Sequence, residues 1–360
     1  MMDEVVLLRD QTLAEAARLQ VPWKQFIKIA NTLDGIPFDC YDIKLEDWLN
    51  YRQSIPFYGA KRWRARIEAQ YGQIEAAYQA GFRKIAIGYE HSPYEGLGKK
   101  MAAVVAFAKE RKLETSVEIR NASRLHMEEL LAVCSSFSAF AVETIAYCDT
   151  ESRMDPFITN TIFEKLLEYT DCPLEFHAHN KYGLATANSL AAIQAGAKRV
   201  TVAVGGVGGS GHAAYEELTM AVNKLVNPVF PRLPNLAAVC HRVLACIGVE
   251  EPLTKTIIGL DIFAHESGIH VAGVLKQPEL YEPFSPEEVG LSRRLVIGKH
   301  SGKTSLAATL QHANIAMDER QSEFFLAQVR QMAIRQKSPL TEEQLTKLYQ
   351  DCVLRRVGGF

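Results

Sequence analysis

Along the first 250 residues, short apolar runs rich in β-branched residues alternate with longer stretches whose apolar positions recur every three to four residues. The short runs predict strands at Val5–Leu8, Lys84–Ile87, Glu114–Glu118, Ala139–Glu143, Leu174–His177 and Arg199–Val204. The amphipathic stretches predict helices at Trp23–Leu33, Ala65–Ala80, Lys99–Lys112, Arg124–Cys134, Ile158–Tyr169 and Leu184–Ala195. Gly81 and Gly196 stand just past two of these helices, where a C-cap glycine is expected. Strands alternating with helices of this length imply a parallel sheet covered by helices. Six or more such units fit an α/β fold of the (β/α)8 TIM-barrel kind, with a doubly wound sheet as the other arrangement. The glycine-rich stretch Gly205–Gly211 (GGVGGSG) lacks the strand–helix setting of a dinucleotide fingerprint.

The alternation stops near Val249. The expected organisation is a barrel domain over residues 1–250, a linker subdomain over 251–300 with scattered glycines and prolines, and a C-terminal helical subdomain over 301–360. The last part carries helix patterns at Lys303–Gln311, Glu319–Arg335 and Thr341–Leu354. At 360 residues the chain can bury a large core without disulfide or metal staples. Its net charge of −2 gives no reason to expect a nucleic-acid partner or a membrane surface. The seven cysteines are odd in number and form no CxxC pair, which reads as reduced thiols in a cytoplasmic protein. The opening MMDEVVLLRD has acids where a signal peptide has bases, and no apolar run reaches the ~18 residues of a membrane span.

Chemistry is concentrated in a few places. His177-Ala178-His179 puts two imidazoles at i, i+2 at a strand end, so they point the same way along the pleat and could chelate one divalent ion. The plain alternative is two histidines making ordinary polar contacts. His212 closes the glycine-rich loop before a helix pattern over Ala213–Asn223, and that loop could cradle an anion through its backbone amides. A third cluster, His265-Glu266-Ser267-Gly268-Ile269-His270, is followed by Tyr281, and histidine and tyrosine are proton-transfer groups.

Taken together, these residues resemble the homocitrate, 2-isopropylmalate and citramalate synthase family, in particular the short homocitrate synthases of nitrogen-fixing bacteria. His177–Leu190 (HAHNKYGLATANSL) is similar to the family's HxHNDxGxAxANSL strand and helix. Phe263–Gly302 is similar to the subdomain after the barrel, and Asp149-Thr150 with Pro156 to the family's DTxxxxxP turn. The resemblance implies a TIM barrel followed by linker subdomains, usually dimeric, that condenses acetyl-CoA with a 2-oxo acid, here 2-oxoglutarate first. It implies a divalent ion (Zn, Mn, Mg, Fe or Co) acting as a Lewis acid on the keto group. By position, His177 and His179 match the family's metal histidines, and His212 stands where an asparagine ligand is usual. His270 and Tyr281 match an acid/base pair that reaches the barrel from the partner subunit. Thr201 and Gly208 fall on the substrate side, as does His91 after the strand at Lys84–Ile87.

The departures touch the same site. The family opens with DTTLRDGEQ, and this chain reads Arg9-Asp10-Gln11-Thr12-Leu13-Ala14-Glu15. One alignment makes Glu15 the metal carboxylate and loses the family's arginine to Ala14; the other keeps Arg9 as the substrate arginine and Asp10 as the ligand. The family's EDASR, which carries a catalytic glutamate, reads Arg120-Asn121-Ala122-Ser123-Arg124, and Arg120 cannot act as a base. Its planar fork suits a carboxylate or phosphate instead. Two readings follow: an active acyltransferase with altered site chemistry, as a homodimer, or an impaired homologue serving as a structural or regulatory subunit beside an intact synthase.

Overall fold

The computed structural model describes residues 6–51, 62–91, 98–265, 273–274, 276–312 and 319–354. Eight parallel strands close into a barrel in chain order. They are β1 (Leu7–Asp10), β2 (Cys40–Lys44), β3 (Trp63–Glu68), β4 (Lys84–Glu90), β5 (Glu114–Arg120), β6 (Thr144–Asp149), β7 (Leu174–Ala178) and β8 (Arg199–Val202). Closure comes from β1 pairing with β8, with Arg9 opposite Thr201. Helices α1 (Thr12–Arg18), α2 (Trp23–Leu33), α3 (Leu45–Tyr51), α4 (Tyr71–Gln79), α5 (Gly98–Glu110), α6 (Met127–Ala139), α7 (Pro156–Tyr169), α8 (Ala185–Gln194), α9 (Tyr215–Leu225) and α10 (Leu236–Ile247) complete this part of the chain. The TIM barrel expected from the alternation is therefore the fold, and the doubly wound sheet is not. Gly81 and Gly196 take φ of 91° and 110°, the left-handed caps that spare a β-carbon its clash.

Two elements differ from the pattern-based expectation. The helix expected over Ala65–Ala80 is a strand, β3, followed by α4. Its arginines alternate with the period of a strand, and Arg64 and Arg66 point into the barrel and find acids there. The strand expected at Ala139–Glu143 lies further on, at β6, where all six residues are buried. Helix α6 runs through Ala139, and Ala141 at φ 51° makes the turn between them.

The barrel interior is held by ion pairs rather than by aliphatic layers alone. Arg9 and Arg64 both donate to the buried Glu175 of β7, and Arg64 also grips Asp42 of β2 at 2.6 and 2.7 Å. One level higher, Arg66 meets Glu118 of β5 at 2.9 and 3.0 Å and Gln11 at 3.4 Å. Charges buried this deeply persist only with partners, because taking them out of water costs several kcal/mol each.

Residues 1–233 with 239–250 form one compact unit, and residues 234–238 with 251–360 a second. In the second, β9 (Ala264–His265) pairs in parallel with β10 (Arg294–Leu295). Helices α11 (Lys303–His312), α12 (Glu319–Gln336) and α13 (Glu342–Tyr349) bury Leu306, Leu310, Phe325, Val329 and Leu345 against Ile297. The subdivision into 251–300 and 301–360 stands as a proposal from composition. No helix among the described residues is long and apolar enough to cross a membrane.

Candidate metal centre at the barrel rim

Strand β7 ends at Ala178, so His177 and His179 emerge at its C-terminal end, the end at which TIM barrels carry their chemistry. The loop after β8 brings the third imidazole. His179 pairs with His212 across an isolated antiparallel bridge, and the Asn180 N–H donates to Ser210 O at 3.0 Å. The three ring centroids lie 4.9 to 5.3 Å apart. One ligand nitrogen from each ring can be chosen so that all lie within 4.8 Å of one another.

The nitrogens are free to take a ligand. Both ring nitrogens of His177 and the Nδ1 atoms of His179 and His212 are buried with no hydrogen-bond partner among the described residues. Burial is costly for an unpaired donor or acceptor, so these unpartnered nitrogens, gathered by three neighbouring rings, make the cluster a candidate binding site. Burial, reinforced by the nearby Arg66 charge and by the other two rings, holds His177 well below the usual histidine range. Burial and the His212 charge bring His179 down to about 4. Both rings are thus neutral at pH 7, the form that binds metal, and three imidazoles suit a divalent transition ion.

The carboxylate beside this triad is Glu15. Its Oε1 lies 3.4 Å from His212 Nε2, and its Oε2 accepts from Arg18 Nε at 2.6 Å. Burial would push Glu15 upward, but the hydrogen bonds and charges of His212 and Arg18 win and hold it at about 2. Asp10 faces the start of α1: its Oδ1 and Oδ2 accept from the Thr12 and Leu13 N–H groups at 3.0 and 3.1 Å. Gly208 is shaped by the same cluster. A β-carbon there would sit 2.8 Å from His212 Cδ2 and 3.5 Å from Glu15 Cδ, on a backbone at φ 149°.

The other expected residues are dispersed. Arg9 is wholly buried in the ion network of the barrel interior. Thr201 is buried on β8, with its hydroxyl 3.5 Å from Phe176 O. His91 Nδ1 is 3.1 Å from the Tyr89 hydroxyl, beside Glu129. Arg120 closes β5 at the rim and bonds Glu68. Tyr281 belongs to the second unit, and His270 lies outside the described residues. The glycine-rich loop does not present a row of free amides: Gly206, Val207, Gly211 and His212 N–H bond loop carbonyls, and Gly205 N–H bonds Glu216. Its glycines instead serve close approach to His212 and to Arg18, whose Nη2 lies 3.4 Å from a β-carbon placed on Gly209. Sequence reasoning missed Arg66, Glu118 and Glu68. For the two on β3, the period-two spacing of charges at 64, 66 and 68 was the available signal.

Comparison with known proteins agrees with the barrel fold. Residues 51–238 match the HMGL-like family, and residues 257–337 match the family described as homocitrate synthase post-HMGL domain-like. Homocitrate synthase 1 of Nostoc sp. is 33% identical over 96% of this chain and 97% of its own length. The chain belongs to the homocitrate, isopropylmalate and citramalate synthase family. 2-Isopropylmalate synthase 2 of Caldanaerobacter subterraneus is 38% identical over 71% of this chain and 67% of its own. Among solved structures, the HMG-CoA lyase of Brucella melitensis superposes with a TM-score of 0.54 at 15% identity, covering 62% of this chain and 91% of that one. The carboxyl transferase domain of Rhizobium etli pyruvate carboxylase gives 0.55 at 16%, covering 68% of this chain and 47% of that one. These two likenesses concern the fold. The HMGL-like match begins at residue 51, so the departing segment from Asp10 to Glu15 falls outside it.

Proposed function

We propose that this synthase-family member condenses acetyl-CoA with a 2-oxo acid, 2-oxoglutarate first, to give a homocitrate-type product. The observation that carries the reading is the set of unpartnered imidazole nitrogens at the rim of a barrel whose sequence follows a homocitrate synthase end to end. In the reaction the acetyl methyl group loses a proton and its carbon bonds the keto carbon. The keto oxygen takes up a proton. Water then adds to the thioester, the C–S bond breaks, and coenzyme A leaves as the thiol.

His177, His179 and His212 would hold a divalent ion with Glu15 beside them, and the bound ion supplies Lewis acidity toward the keto group. The chain's own groups do the rest. Glu15 stays ionised and is steadied by Arg18. Burial, reinforced by the Arg66 charge, keeps His177 neutral. His270 and Tyr281 are assigned to proton transfer by their match to the family's pair, with the partner subunit as their source in a homodimer. Arg120 replaces the family's glutamate, so proton abstraction falls to another group in this chain.

The test is thiol release by the purified chain with acetyl-CoA, a divalent metal, and 2-oxoglutarate, 2-oxoisovalerate or pyruvate. Release with 2-oxoglutarate is expected. No release with any of the three, from protein that binds metal, would leave the structural or regulatory subunit as the standing reading.

A further inference from the structure

In the second unit, the segment that carries Tyr281 is clamped from three sides. Tyr281 is 42% exposed, so burial does not hold its ring in place. A short helical turn, Pro278–Leu280, ends at Tyr281, and Pro278 O accepts from the N–H groups of both Tyr281 and Glu282 at 2.9 Å. Gln277 N–H donates to Gly273 O at 2.8 Å, which folds the segment back on itself. The Tyr281 ring lies over Gly273. A β-carbon at Gly273 would overlap the ring and its hydroxyl, so the missing side chain is what gives the ring its seat.

The third side is the next residue. The Glu282 side chain is buried and accepts three hydrogen bonds from Arg293, at 3.0, 3.0 and 2.7 Å. His265 Nε2 lies 3.4 Å from its Oε1. Arg293 also reaches Glu287, at 3.3 Å, on the turn Pro286–Val289. His265 ends β9, and Arg293 immediately precedes β10, the parallel partner of β9. The two-stranded sheet thus delivers a guanidinium and an imidazole to one carboxylate beside Tyr281. A guanidinium fork that holds a carboxylate by parallel hydrogen bonds fixes direction as well as distance. With Glu282 fixed, the backbone from which the Tyr281 side chain departs is fixed too.

We propose that Glu282 is a positioning residue: held by Arg293 and His265, it anchors the chain on one side of Tyr281 while Gly273 seats the ring on the other, so that the phenol hydroxyl is presented in one direction. An exposed tyrosine left to itself samples several staggered side-chain wells. Proton transfer needs heavy atoms within about 2.6–3.2 Å of each other, and a misplacement of about 1 Å can cost a hundredfold in rate. An ion pair that only held the fold together would be indifferent to where the ring points. The inference rests on the proposed condensation only for the proton-transfer role of Tyr281.

The experiment has a spectroscopic arm and a kinetic arm, both on the full chain. For the first, the tyrosines are replaced by 3-fluorotyrosine, and the fluorine resonance missing from Tyr281→Phe is that of Tyr281. Glu282→Gln turns one acceptor oxygen into an amide donor facing the guanidinium at nearly unchanged volume. Gly273→Ala displaces the ring without touching the ion pair. Both should shift the Tyr281 resonance by more than its linewidth and leave the others in place, and Arg293→Lys should shift it less. In the kinetic arm, thiol release is followed with acetyl-CoA, 2-oxoglutarate and a divalent metal. Glu282→Gln and Gly273→Ala should each lower kcat about ten- to a hundredfold, with KM for 2-oxoglutarate within about twofold of wild type. In the Tyr281→Phe background the same changes should cost less than about twofold further, because the hydroxyl they aim is gone. An unmoved Tyr281 resonance in Glu282→Gln overturns the proposal. So does an equal loss of kcat with and without the Tyr281 hydroxyl, the mark of a purely structural pair. If the resonance moves but wild type releases no thiol with any of the three oxo acids, the clamp on Tyr281 stands and the condensation falls. If thiol is released and Tyr281→Phe costs nothing, the condensation stands and the positioning role falls.

Discussion

Glu15 Oε1 lies 3.4 Å from His212 Nε2, joining residues 197 apart in the chain. Barrel closure makes this contact. Glu15 sits on the helix that follows β1, His212 in the loop that follows β8, and those two strands are hydrogen-bonded neighbours. The carboxylate orients the imidazole and adds negative charge beside the three rings. Groups in this relation to a metal histidine are worth about 10- to 100-fold in metal affinity. Glu15→Gln should therefore weaken metal binding by about that factor, read by competition with a chromophoric chelator. An unchanged affinity would separate Glu15 from the centre.

Gly208 predicts a second route to the same defect. With a β-carbon 2.8 Å from His212 Cδ2, Gly208→Ala must push the ring away. Metal affinity should fall while the far-UV circular dichroism of the metal-free protein stays as in wild type. Wild-type affinity in this variant would mean that His212 is free to move, and that its position in the triad is not fixed by the loop.

Asp10 and Glu15 part company in their pH dependence. Burial raises Asp10 from 3.8 to about 6, against the pull of the Thr12 and Leu13 hydrogen bonds. Between those values the native state keeps a proton that the unfolded chain has released. Stability contributed by that proton is full below about 3.8 and is lost as pH rises through 6. Asp10→Asn should remove this decline from the melting temperature measured across pH 4 to 7 and leave metal affinity unaltered. An identical pH slope in the variant would contradict the assignment.

The ion network inside the barrel carries a stability prediction. Glu175 accepts from both Arg9 and Arg64, and all three are buried. Glu175→Gln leaves two buried guanidinium groups short of charge, and breaking a buried pair in this way costs about 3–5 kcal/mol. Denaturant titration should show a loss of that order. A loss under about 1 kcal/mol would mean that water reaches the arginines.

The same network explains what the sequence withheld. Strands β4, β5, β7 and β8 keep enough apolar and β-branched residues around Glu118 and Glu175 to read as strands. In β2 and β3 the inward positions are Asp42, Arg64 and Arg66, charged where an apolar strand face is expected, and their partners come from other strands of the barrel. The histidine pair on β7 was legible from its i, i+2 spacing alone. His212 needed the resemblance to be placed beside it. That Asp10 faces the start of α1 while Glu15 stands beside His212 was not legible, because it depends on how β1 and β8 close the barrel. The crossing of Arg120 over Gly88 to Glu68 was hidden as well, since it involves three strands and a side chain that is not there.

Metal content decides the central claim. Wild-type protein and His177→Ala, purified side by side and equilibrated with the same divalent ion, would be dialysed and assayed by inductively coupled plasma mass spectrometry. The account predicts about one ion per chain in wild type and little or none in the variant, because His177 offers a buried ring with no other partner among the described residues. Equal metal in both proteins would contradict it.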